Sequence, residues 1–181
     1  MPSRQLSGIA VSFLALALAT TAIAQPQEDK SKRPSPPGTA SISLGGKKVT
    51  IEYSRPSTRG RKIMGALVPF GQVWRTGANE ATTFVTEGDV TVGDTKVPAG
   101  KYTLYTLPSE TGWKLIINKQ TGQWGTEYDQ TQDLARIDMK VSKPAAPVEQ
   151  FTIDLKGNGT NAADLIIAWE NTSASVTVKA Q

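Results

Sequence analysis

Residues 135–141 read Ala-Arg-Ile-Asp-Met-Lys-Val, and their alternation decides the fold class. Ala135, Ile137, Met139 and Val141 fall on every second position, with Arg136, Asp138 and Lys140 between them. Side chains of an extended strand project alternately to opposite faces, so a period of two collects the apolar groups on one buried face. The same period recurs on both sides. Upstream, Lys48–Tyr53 sets Val49, Ile51 and Tyr53 against Thr50 and Glu52, and Gly45-Gly46 marks a hairpin turn from Ala40–Leu44. Ala81–Val85, Val90–Val92, Thr95–Val97, Gly100–Leu107 and Trp113–Lys119 follow, with turns at Gly93-Asp94 and Pro108 to Gly112. Downstream, Phe151–Leu155, Leu165–Trp169 and Ser175–Lys179 continue the pattern, separated by Gly157-Asn158-Gly159 and Asn171. The reading is nine to eleven short strands, with helical character confined to short turns near Lys62–Leu67 and Asp129–Leu134. A parallel sheet would need helical crossovers, so the expected class is all-β, an antiparallel β-sandwich of jelly-roll-like type. No segment repeats at a fixed period, which excludes propellers and solenoids.

Composition narrows the chemistry. The 181-residue chain contains no cysteine and no histidine. That removes disulfide scaffolds, thiolate or imidazole zinc sites, cysteine nucleophiles and any triad with a histidine base. Lys and Arg number 20 against 16 Asp and Glu, a net charge of +4 without a basic stripe, so a nucleic-acid partner is not expected.

The first 24 residues read as a secretory signal. Arg4 supplies the positive start, an apolar run extends from Ile9 to Ala19, and Ala22-Ile23-Ala24 gives the small-x-small cleavage pattern. The run is too short and alanine-rich to span roughly 30 Å of hydrocarbon, and no cysteine follows it for lipid attachment. Cleavage after Ala24 is expected to release a periplasmic or secreted protein with no stable membrane insertion. Gln25 to Gly38 is polar and proline-rich, read as an extended tether, and residues 39–181 as a single domain.

Two stretches break the alternation, Tyr53 to Thr82 and Gln120 to Asp133. In an almost helix-free protein, functional groups sit on loops held by the strand scaffold. The first contains Trp74-Arg75-Thr76-Gly77-Ala78-Asn79-Glu80, which sets an indole, a guanidinium, an amide and a carboxylate around a turn. A guanidinium fork suits carboxylate, phosphate or sulfate. The rival reading pairs Arg75 with Glu80 internally and lets Asn79 bond the turn's own backbone. Arg55, Arg59, Arg61 and Lys62 form a second basic group: either an anion patch or a solvated loop whose stems cover apolar surface. In the second loop Trp124 is either a stacking platform or a lid over the core edge. Glu127, Asp129 and Asp133 offer oxygen ligands to a hard cation, but not at a recognised spacing, and no metal or cofactor is expected. Glu80 with Glu127 or Asp129 could also make a glycosidase-type carboxylate pair, which needs a carboxyl separation sequence does not report.

Together these residues carry a resemblance. Tyr53-Ser54-Arg55-Pro56, Gly60-Arg61-Lys62-Ile63, Leu67-Val68-Pro69-Phe70-Gly71 and the run Val73 to Thr82 closely resemble the bacterial family called domain of unknown function 2911. Pro98-Ala99-Gly100-Lys101-Tyr102, Leu104-Tyr105, Trp113, Asn118, Trp124-Gly125, Tyr128, Asp129, Asp133, Arg136 and Trp169-Glu170-Asn171-Thr172 extend it across residues 40–179. The resemblance implies an exported protein of a Gram-negative bacterium and brings no established activity or catalytic residue. Its most distinctive residues are polar or aromatic loop residues: Arg55, Arg61, Trp74, Arg75, Asn79, Glu80 and Trp124.

Those seven are the candidate ligand-binding residues. The leading expectation is a binding module for a small or polymeric ligand with anionic or hydroxyl groups, such as an envelope glycan. An assembly role in the cell envelope ranks second, and a hydrolase using Glu80 with an aspartate third.

Overall fold

The computed structural model describes residues 28–181, so the expected signal segment lies outside the described residues. Among the described residues there are eleven strands: β1 (Pro37–Leu44), β2 (Lys47–Ser54), β3 (Thr82–Thr86), β4 (Val90–Val92), β5 (Thr95–Val97), β6 (Gly100–Pro108), β7 (Trp113–Asn118), β8 (Asp133–Ser142), β9 (Val148–Gly157), β10 (Ala162–Glu170) and β11 (Thr172–Ala180). Helix is confined, among the described residues, to 3₁₀ turns at Lys30–Lys32 and Gln130–Gln132. The second of these falls in the Asp129–Leu134 stretch. Lys62–Leu67 is instead a tight turn, in which Val68 N–H donates to Ile63 O and Gly65 N–H to Val68 O. No helix among the described residues is long and apolar enough to cross a membrane.

All strand pairs are antiparallel. The sheet runs β1-β2-β3-β6-β7-β8-β11-β10-β9, with β4 on β11 and β5 on β4. Its two end strands, β1 and β9, lie against each other, so the sheet is barrel-like and nearly closed. The all-β antiparallel class expected from the alternation is therefore what the strands form.

The alternation places the core as read. Val49, Ile51 and Tyr53 of β2, Phe151, Ile153 and Leu155 of β9, and Leu165, Ile167 and Trp169 of β10 are all buried in one apolar cluster. At the seam between the ends, the Tyr53 hydroxyl donates to Ile153 O (3.1 Å) and accepts from Ile153 N–H (2.9 Å). Gly38 of β1 stands between them in register with Tyr53. A Cβ at Gly38 would lie 3.0 Å from Tyr53 Cζ and 2.5 Å from Arg55 Cδ. The missing side chain lets both residues cross β1 and reach β9.

Alternation fails in β6 and β7, and the failure positions the site. Leu104 and Tyr105 are both buried, as are Leu115, Ile116 and Ile117, so both faces of this part of the sheet are covered. The outer cover is the loop 119–132. Asn118 Nδ2 donates to Asp129 O and Asp133 Oδ1 (each 2.9 Å), Thr103 Oγ1 donates to Gln120 O (2.8 Å), and the Tyr105 hydroxyl donates to Glu127 O (3.0 Å).

Candidate functional site

Where β3 stops, Trp74 takes its place beside β6, exchanging backbone hydrogen bonds with Thr106 (2.8 and 3.0 Å). The chain then turns sharply through residues 75–80. Thr76 is fully buried with φ +53°, a left-handed conformation that costs a β-branched residue about 1–2 kcal/mol. Hydrogen bonds hold it there. Its hydroxyl bonds Trp74 O (3.2 Å) and Thr106 Oγ1 (3.1 Å), and its carbonyl accepts from Thr82 Oγ1 (2.7 Å).

Arg75 lines a cleft of about 660 Å³ together with Arg61, Trp74, Tyr105, Tyr128 and Trp169. That volume falls within the range of small-molecule sites, roughly 300–1,000 Å³. Trp74 stacks on Trp169, with ring centroids 5.7 Å apart and planes 17° from parallel, and sets its edge against Phe151 at 5.1 Å. Tyr105 and Tyr128 meet edge-on at 4.8 Å. Leu67, half exposed, and buried Val68 add apolar lining, while Gly77, Ala78 and Gly125 contribute little bulk.

The two arginines have charge to spare. Arg75 donates only a long bond from Nε to Gly77 O (3.4 Å), and neither it nor Arg61 forms an ion pair among the described residues. Arg61 is anchored by Nε to Thr58 O (2.9 Å) and Nη2 to Ser57 O (2.8 Å), leaving Nη1 over. The Arg75 stem is packed tightly: a Cβ on Gly125 would lie 2.8 Å from Arg75 Cδ.

The tyrosine hydroxyls are already engaged. Tyr105 accepts from Gln123 Nε2 (3.1 Å) besides its bond to Glu127 O. Tyr128 donates to Asp133 Oδ2 (2.7 Å) and accepts from Arg136 Nη2 (2.7 Å), and Arg136 Nε also bonds Asp133 (2.9 Å). Burial, together with the Asp133 carboxylate that accepts its proton, pushes the Tyr128 phenol up to about 12. Both rings are thus fixed as apolar lining.

Of the seven candidates, Arg61, Trp74 and Arg75 share this cleft, while Arg55, Asn79, Glu80 and Trp124 lie outside its lining. Arg55 crosses to β9, donating to Phe151 O (3.3 Å) and Thr152 Oγ1 (3.2 Å). Asn79, at φ +59°, donates to Ser35 O (3.2 Å) and Ser54 Oγ (3.3 Å). Trp124 is 45% exposed, and its backbone bridges Glu80.

The expected alternative of an Arg75–Glu80 pair is corrected. Glu80 binds Lys30 Nζ (2.8 Å) and the Arg33 guanidinium (2.8 and 3.0 Å) instead. These partners, Lys30 foremost, hold its carboxyl down at about 2. The segment 28–36, read as tether, therefore lies against the domain over this stretch; Arg33 also forks onto Glu28 at 2.6 and 2.8 Å. The second-loop carboxylates are separately engaged. Asp129 caps the 3₁₀ turn through Thr131 N–H (2.9 Å), and Asp133 serves Tyr128, Asn118 and Arg136. Among the described residues no three acidic side chains gather as a metal group.

Sequence reading missed Tyr105, Tyr128 and Trp169 as cleft residues. Tyr105 and Trp169 stand in strands whose alternation marked them as sheet, and only the outer cover over β6 could have signalled otherwise.

No curated protein and no solved structure matches this chain. Residues 35–178 match the family described as Protein of unknown function (DUF2911), which takes in the sheet up to the last two residues of β11 and both loops of the site. The chain belongs to that family.

Proposed function

We propose that the protein is an exported binding module for a ligand carrying anionic or hydroxyl groups, and that the cleft around Arg75 is its site. The observation that carries this is a pair of arginines without carboxylate partners among the described residues, Arg61 and Arg75, at a cleft walled by Trp74 and Trp169. Cations left without a counter-ion contribute little to folding and are well placed for an external anion. Export rests on Arg4, the apolar run Ile9 to Ala19 and the Ala22-Ile23-Ala24 pattern. The hydrolase reading, with Glu80 as base or nucleophile, finds less support. The Glu80 carboxylate is engaged by Lys30 and Arg33, and a carboxylate held near 2 by two cations is a weak proton acceptor.

Thermal unfolding of the wild type and Arg75→Ala, purified after expression of the full-length chain, tests the reading. The expected result is a midpoint within about 2 °C of the wild type, because Arg75 spends no ion pair on the fold among the described residues and loses only its stem packing and one long bond. Midpoint rises produced in the wild type by a panel of small anions and sugars should be lost in the variant. A drop of several degrees in unliganded Arg75→Ala would assign the arginine to the fold and overturn the reading.

A further inference from the structure

We infer that the ligand of this cleft is a flat aromatic anion, an aryl carboxylate or aryl phosphate, rather than a neutral sugar; the inference rests on the binding-module reading above. It follows from what the lining offers and what it withholds.

The lining offers donors. Arg75 keeps both Nη groups and Arg61 keeps Nη1. The Trp169 indole N–H is spent on Glu149 O (3.2 Å), whereas the Trp74 indole N–H has no acceptor among the described residues and is not one of the buried unpartnered atoms. Strong acceptors are missing. Among the described residues no Asp, Glu, Asn or Gln side chain lines the cleft, and both tyrosine hydroxyls already donate inside the protein. A sugar brings a hydroxyl donor for nearly every acceptor, and the hydroxyls of Ser35 and Thr126 are too few to accept from all of them, so burial leaves donors unpaired. An anion brings acceptors only, and matches.

The body of the ligand follows from the rest of the lining. Trp74 and Tyr128 stand part-exposed in the lining over the buried rings of Trp169 and Tyr105, and the polar tips of Tyr105, Tyr128 and Trp169 are turned to other partners. Such surfaces take flat rings in offset-stacked or edge-on geometry. Arginine planes also stack on aromatic faces, so one group serves both ends of the ligand.

The test is a titration of the purified protein, expressed at full length, followed by tryptophan fluorescence and calorimetry. The probes are 2-naphthoate, the neutral 2-naphthalenemethanol, acetate, inorganic phosphate and maltose. The expected result is 2-naphthoate binding at least ~10-fold more tightly than any other probe, a gap of about 1.4 kcal/mol. Arg75→Ala should erase the gap between naphthoate and the alcohol. Arg75→Lys, which keeps a long stem over Gly125, guards against misfolding and should retain only part of it. Acetate, phosphate or maltose binding as tightly as naphthoate, with the same dependence on Arg75, would overturn the aromatic inference and leave the binding-module reading standing. Naphthoate failing to bind the wild type also overturns it. The melting of Arg75→Ala then decides the underlying reading separately.

Discussion

Tyr53→Phe isolates the seam of the barrel. The hydroxyl satisfies both backbone groups of Ile153, donating to the carbonyl at 3.1 Å and accepting from the N–H at 2.9 Å. Both bonds are buried, and Tyr53 is 7% exposed, so water does not replace the lost partner. Phenylalanine keeps the ring and its edge-on contact with Phe151, centroids 5.7 Å apart, so the change removes hydrogen bonds and little packing. Leaving a buried donor or acceptor unpaired costs about 1–3 kcal/mol each; with partial relaxation of β9, the sum is about 2–4 kcal/mol. At roughly 2–4 °C per kcal/mol for a domain of this size, the midpoint falls by roughly 4–16 °C. Guanidinium titration followed by fluorescence measures the difference, with the slope expected to stay at its wild-type value. Tyr102→Phe is the control, because that hydroxyl makes one bond, to Pro98 O at 3.0 Å, and should cost no more than about 1 kcal/mol. A Tyr53→Phe loss under about 0.5 kcal/mol, or one no larger than the control's, would refute the account of the seam.

Three further outcomes are expected. Glu80 has its folded carboxyl depressed to about 2 from 4.5, so it adds stability at pH values above about 4.5 that is lost as pH falls toward 2. With a side chain 39% exposed the pairs are screened, so Glu80→Gln should cost no more than about 1 kcal/mol at pH 7, converging with wild type near pH 2 in acid-titrated unfolding curves. Gly125→Ala places a Cβ 2.8 Å from Asn79 O and 2.8 Å from Arg75 Cδ, so it should lower stability by about 1–3 kcal/mol and weaken anion binding; a neutral result in both assays contradicts the packing described. Intact-mass measurement after expression in a Gram-negative host should find a chain beginning at Gln25, and retention of residues 1–24 would reject the export reading.

Most of the fold was legible because alternation is a local property. The strand read at Ala135–Val141 forms within Asp133–Ser142, and Val90–Val92 and Thr95–Val97 form with the bounds expected. The site was legible only in part. Trp74, Arg75 and Arg61 stood out as residues a core does not need. Glu80 stood out equally, yet its charge is absorbed by Lys30 and Arg33, residues assigned from sequence to a solvated tether. Charge pairing depends on which side chains arrive within about 4 Å, and spacing along the chain does not report that.

Sequence alone determined the all-β class, most turn positions and the inward face of most strands, since a two-residue period follows from backbone geometry wherever one face is buried. Val141, read on the buried face of β8, is exposed. Family membership was legible in the same way, in the run Val73 to Thr82. Tertiary structure alone decided which groups meet. It brought Trp74, Tyr105, Tyr128 and Trp169, drawn from a loop, β6, a second loop and β10, to one cleft. It also assigned Glu80 to the segment before β1, and left Arg75 without an ionic partner among the described residues. The reason is closure. Curling the sheet until β1 meets β9 juxtaposes residues about a hundred positions apart, as Tyr53 and Ile153 show, and no local pattern encodes that distance.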